Sequence, residues 1–124
     1  MKNVVKTDKA PGAIGPYSQG INIGDMYFFS GQIPLEPKTG EMPEGIEAQV
    51  HQALKNVQGL LESQGLSFEN VIKTTVFLDN MDDFATVNEI YAQYFVEPYP
   101  ARSAVEVAKL PKGALVEVEV IASK

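Results

Sequence analysis

Residues 100–120, "PARSAVEVAKLPKGALVEVEV", set Arg102 in one short alternating run and Glu117 and Glu119 in another, with Pro-Lys-Gly at 111–113 between them. A guanidinium binds a carboxylate through two parallel hydrogen bonds, which fixes a small acid in position and orientation. A glutamate nearby can orient or deprotonate a water and later protonate a leaving amine. On two strands joined by the Pro111–Gly113 turn, Arg102 and Glu117 are expected within a few residues of register. The plainer reading is an exposed cross-strand ion pair, worth about 0.2–1 kcal/mol. Spacing alone leaves both open.

Other side chains narrow the chemistry. The chain has no cysteine, so disulfides, a thiol nucleophile and thiolate metal sites are excluded. The one histidine, His51, falls off the apolar stripe of its segment and reads as a solvated residue, leaving a Ser-His-Asp triad and a zinc site without their usual parts. No clustered Asp/Asn/Gly loop points to a carboxylate-only metal site, and the glycines of "SGQIP" and "GAIGPYSQG" lack the order of a phosphate loop. Tyr17, Ser30 and Asn88 read as an interface hydroxyl, a strand hydroxyl and a surface amide.

The elements that must position these groups follow from periodicity. The 124 residues suit one compact domain, 1–124, and the 44% apolar and 21% charged fractions are ordinary for a soluble globular chain. A formal charge of −6, with no Lys/Arg run, argues against nucleic-acid binding. The opening "MKNVVKTDKAPG" does not read as a signal peptide and no run reaches membrane-spanning length, so a soluble, cytoplasmic domain is expected.

"NVVKT" reads as an edge strand, and "INIGDMYFFSGQI" as two strands about a Gly-Asp turn. Ile46, Val50, Ala53, Leu54, Val57, Leu60 and Leu61 make a helical stripe ending near Gly65. "VIKTTVFL", 71–78, is β-branched and reads as a strand. Asp82 and Asp83 suit the start of a second helix with Phe84, Val87, Tyr91 and Tyr94 on its apolar side. The order β-β-β-α-β-α-β-β predicts an α+β fold, a mixed sheet with two helices on one face. The valines of the last two runs are expected to face the helices, with Ala104, Glu106, Glu117 and Glu119 on the other side. A face mixing apolar groups with a few charges suggests self-association.

The blocks "APGAIGPYSQG", "SGQIP", "VIKTTVFL", "DFATVNEIYAQYF", "PARSAVEVAKLP" and "VEVEVIA" closely resemble the Rid (YjgF) family of reactive-intermediate deaminases, in family order over almost the whole chain. The resemblance implies a chorismate-mutase-like fold and a homotrimer with clefts between subunits. It also implies hydrolysis of 2-imino acids and enamines, such as 2-aminoacrylate, to 2-keto acids and ammonia without a cofactor. It carries the carboxylate-binding arginine onto Arg102 and the water-positioning glutamate onto Glu117, with Tyr17, Ser30, Asn88 and the Gly31 backbone at other cleft positions. Many relatives have cysteine where this chain has Ala104, so any thiol role there is lost. Two other readings remain from the same resemblance: a trimer that binds ligands without turnover, and an RNA-directed role as a translation inhibitor or ribonuclease.

Overall fold

A computed structural model describes Met1–Lys124. Six strands form one sheet: β1 (Asn3–Val5), β2 (Gly20–Ile23), β3 (Met26–Phe29), β4 (Val71–Leu78), β5 (Ala101–Glu106) and β6 (Val116–Ser123). Two helices, α1 (Ile46–Ser63) and α2 (Phe84–Tyr94), follow β3 and β4. The spatial order is β1-β2-β3-β6-β4-β5, with β4 and β5 parallel and every other pair antiparallel. This is the expected mixed-sheet α+β class, with β1 at an edge. No helix is long and apolar enough to cross a membrane.

The helical stripe is where the 3.6-residue period puts it. Val50, Ala53, Leu54, Val57, Leu60 and Leu61 are buried against one sheet face, with Ile46 packed at the edge. The helix stops at Gly65, whose positive φ of 71° lets its N–H reach Glu62 O while Leu66 N–H reaches Leu61 O. Those two bonds satisfy carbonyls the helix leaves unpaired at its end. In α2, Val87, Ile90 and Tyr91 are buried and cover the same sheet face. Before it, the Asn80 side chain accepts from Asp82 N–H, and a short 3₁₀ turn carries Asp82 and Asp83 at the helix start.

Two expectations about the last strands fail. β5 and β6 are not neighbours, because β4 lies between them and pairs with both. The segment 107–115 is a crossover around the end of β4, in which Val107 N–H bonds Leu78 O and Asp79 N–H bonds Leu115 O. A hairpin and a crossover share the same turn residues, and only the pairing of β4 decides between them.

The second failure is the phase of β5. Val76 and Leu78 are buried on the helix side, and they stand opposite Ala104 and Glu106. Ala104 and Glu106 therefore share the helix face, where Ala104 packs against the core and Glu106 Oε1 accepts from Met81 N–H. Val105 takes the open face and is 42% exposed. In β6 the expectation holds: Val116, Val118 and Val120 are buried, and Glu117 and Glu119 point away. On that open face Ile21, Phe28 and Ile121 align across three strands, and Phe28 is 45% exposed.

Candidate functional site

Arg102 sits on the edge strand β5, directly opposite Thr74 of β4. Paired residues point to the same side of a sheet, so Arg102 shares the helix face with buried Thr74 and reaches α2. Its Nη1–H donates to Asn88 Oδ1 at 2.7 Å. Its Cζ lies 4.9 Å from the centre of the Tyr91 ring and 5.3 Å from that of Phe84. A neutral amide and two aromatic rings thus hold the guanidinium while its charge is not cancelled by a carboxylate. An open cavity of about 390 Å³ in front of it is lined by Asn88, Tyr91, Tyr99, Pro100 and Arg102. Burial raises the Tyr91 hydroxyl above its ordinary pKa.

Glu117 belongs to a different hollow, of about 590 Å³, with Tyr17, Ser30, Gly31 and Lys112 among its lining residues. Its side chain is half-buried and lies against Gly31, where an added Cβ would come 2.9 Å from the Glu117 carboxyl carbon. Burial, and then the like charge of Glu119 two residues on, push the Glu117 carboxyl above the usual range. A carboxylate moved toward neutrality in this way is better suited to both taking and returning a proton.

Buried amides hold the walls of this hollow. Gln19 accepts from Thr7 N–H and donates to Thr7 O, Ala10 O and Pro11 O, tying down the proline-rich loop. Asn56 of α1 donates to Ile33 O and Leu35 O. Ser30 is also braced: its hydroxyl donates to Ser18 O at 2.6 Å and its N–H to Gln19 O at 2.9 Å. Its oxygen can still accept from a ligand. Tyr17, 54% exposed, stands at the rim.

The six predicted residues thus fall into two groups, Arg102 with Asn88 and Glu117 with Tyr17, Ser30 and Gly31. Arg102 aligns with Thr74 and Glu117 with Phe77, two strands apart and on opposite sheet faces. The Cα atoms are then separated by about 10 Å across the sheet and about 10 Å along it, or about 14 Å in all, before the side chains diverge. The expected neighbours on adjacent strands do not exist within one chain, because β4 lies between their strands and the two side chains face opposite ways, and neither does the plainer alternative of a cross-strand ion pair.

Sequence reasoning missed the rings that flank Arg102, since Phe84 and Tyr91 read only as part of an apolar stripe. It also missed Lys112, a non-glycine residue with φ of 57° on the rim of the Glu117 hollow. His51 departs from its expected solvated state, because its Nδ1 lies 2.7 Å from the Tyr94 hydroxyl and the residue is partly buried between the two helices.

Comparison with known proteins places the chain in a family. The family model described as endoribonuclease L-PSP matches residues 7–124. A RutC family protein of Pyrococcus horikoshii is 54% identical over 125 residues, covering 100% of this chain and 99% of that protein. The 2-iminobutanoate/2-iminopropanoate deaminase of Escherichia coli is 50% identical over 125 residues, covering 98% of each. The crystal structure of Escherichia coli TdcF with bound serine superposes with a TM-score of 0.94 at 46% identity, over 98% of each chain. With the match running from residue 7 to the end of the chain and half the residues shared over full length, the chain belongs to the endoribonuclease L-PSP family, the YjgF/Rid family.

Proposed function

We propose that the chain is a reactive-intermediate deaminase that hydrolyses 2-imino acids and their enamine tautomers to 2-keto acids and ammonia. The observation that carries this reading is the division into complementary halves. One offers a guanidinium whose hydrogen-bond partner is a neutral amide, and the other a carboxylate raised in pKa against a glycine. Because one chain holds them on opposite sheet faces, the complete site forms between copies, with the apolar patch around Phe28 and Ile121 as a surface to join them. A homotrimer is the assembly the family resemblance implies. The relative named as a deaminase and the relative with bound serine both support a small carboxylate ligand carrying nitrogen at C2, the carbon next to the carboxylate.

In the assembled cleft, Arg102 binds the substrate carboxylate through the edge of its guanidinium left free by Asn88. Tyr17, Ser30 and the Gly31 backbone line the space for the rest of the substrate. Glu117 holds a water against the imine carbon and takes its proton as the C–O bond forms and the C=N π electrons move to nitrogen. Glu117 returns that proton to the nitrogen, giving the neutral carbinolamine. The carbinolamine hydroxyl then passes its own proton to the amine through Glu117 or water, and as the C=O bond forms the C–N bond breaks and ammonia leaves. Atoms balance with one water consumed. General acid–base help of this kind contributes about 10²–10⁴-fold, and orientation adds to it.

The test is a coupled assay in which a serine or threonine dehydratase generates the imine in place. Wild type is expected to speed keto-acid formation beyond the spontaneous rate, and a folded, assembled Arg102→Ala variant to lose that effect. No acceleration over several imino acids would move the function to ligand binding without turnover. The family's description favours one further reading, RNA cleavage. The net charge of −6 weighs against it, and RNA cleavage that survives Arg102→Ala would favour it.

A further inference from the structure

We infer that Tyr91 is a positioning residue for Arg102, and that Thr74 sets Tyr91 in place. This rests on the reading of Arg102 as the carboxylate clamp. An exposed arginine on an edge strand would ordinarily sample many rotamers, and ordering it on ligand binding costs entropy. Here the cost is reduced in advance. Tyr91 is buried and stacks on Phe95, with ring centres 4.2 Å apart and planes 20° from parallel, which covers one of its faces. The other face is left for the Arg102 guanidinium, 4.9 Å from the ring centre.

The ring is also tethered at its far end. Its hydroxyl lies 2.9 Å from Thr74 Oγ1, a buried bond. Thr74 is itself the strand partner of Arg102, so one position in the β4–β5 register supports both the backbone of the arginine and the ring beneath its head group. A threonine at 0% exposure, in a strand whose other core positions are Val71, Val76 and Leu78, has its hydroxyl accounted for by this bond. Asn88 and Phe84 bound the guanidinium at 2.7 Å and 5.3 Å. The free edge is therefore presented in one orientation before any ligand arrives.

The experiment measures binding of 2-oxobutanoate and of its neutral amide by titration calorimetry, with light scattering to confirm that each variant stays assembled. Tyr91→Leu removes the ring face and is expected to weaken 2-oxobutanoate binding about 3- to 30-fold. Tyr91→Phe and Thr74→Val keep the face and lose only its anchor, so both are expected to fall between wild type and Tyr91→Leu. Binding of the amide should change little in any of them. In an Arg102→Ala background, Tyr91→Leu should cost nothing more, because it acts through the arginine. An undiminished loss in that background, or full binding by assembled Tyr91→Leu, overturns the positioning role while the clamp stands. Wild-type binding by Arg102→Ala overturns the clamp, and the positioning role falls with it. Should Tyr91→Leu not fold, Tyr91→Phe and Thr74→Val in the same cycle decide the question. The ring-current shift of the Arg102 side-chain protons in NMR then reports directly whether the head group has left the ring.

Discussion

Gly31 gives way to the Glu117 carboxylate: a methyl group at residue 31 would occupy the space in which that carboxylate lies. The clash is with the far end of a side chain rather than with backbone, so the chain can relieve it by swinging Glu117 away. Gly31→Ala is therefore expected to fold almost as well as wild type and to lose activity. The loss should approach, and not exceed, that of Glu117→Gln, which removes an acid–base contribution of about 10²–10⁴-fold. Measured kcat/KM for both variants and a thermal melt of each check this. A Gly31→Ala enzyme with full activity would mean that this placement of Glu117 is not used in turnover.

The raised pKa of Glu117 makes a statement about stability. Burial, then Glu119, disfavours the charged form in the folded chain, so the folded chain binds this proton more tightly than the unfolded one. Stability from this group is therefore present below the unfolded value of about 4.3 and is lost as pH rises through the raised folded value. Glu117→Gln cannot ionise and escapes that loss. The variant is expected to be more stable than wild type in urea at pH 7, with the difference shrinking toward pH 4, while its activity falls. A difference that grows on acidification would contradict the sign. The acid limb of the wild-type rate profile should likewise lie above the ordinary glutamate range, since the base must be ionised to act.

The sequence carried the elements further than it carried their arrangement. The stripe from Ile46 to Leu61, the stop at Gly65 and the run at 71–78 were legible because each is a local matter of period and turn chemistry. The order of strands is not local. Inserting β4 between β5 and β6 changes no residue in either run, yet it separates Arg102 from Glu117 and reverses the phase of Ala104 and Glu106. Arg102 and Glu117 stand out by residue type and spacing, whereas Tyr17, Ser30, Gly31 and Asn88 have no periodic signature and are reached only through the block resemblance. The bond from Arg102 to Asn88 and the stacking on Tyr91 depend on how α2 lies over β5, which no spacing within α2 reports.

Asn56 should be costly to remove although it lies outside both hollows. It is 1% exposed, and its amide donates to Ile33 O at 3.1 Å and Leu35 O at 2.9 Å. Asn56→Ala strands the Leu35 carbonyl and empties a packed position, an expected loss of about 2–3 kcal/mol. Ile33 and Leu35 line the Glu117 hollow, so the loosened loop should also raise KM more than it lowers kcat. Urea unfolding with an unchanged m-value and steady-state kinetics on the same preparation separate the two effects. Wild-type stability would show that the loop is held by other means.

The sharpest test of the divided site uses two inactive proteins. Within a chain Arg102 and Glu117 face opposite sides of the sheet, so a site that uses both has to take one from each of two copies. Arg102→Ala and Glu117→Gln chains are each expected to be nearly inactive alone. When they are unfolded together in equal amounts and refolded, a site is intact only where an arginine from a Glu117→Gln chain meets a glutamate from an Arg102→Ala chain. Each condition holds half the time under random assembly, so about a quarter of wild-type activity should return, whatever the number of copies in a ring. A site contained in one chain can recover nothing, because no chain in the mixture has both residues. Activity near a quarter would therefore establish the shared cleft. Mixed oligomers, verified by mass spectrometry, that remain inactive would rule out a site that takes Arg102 from one copy and Glu117 from another.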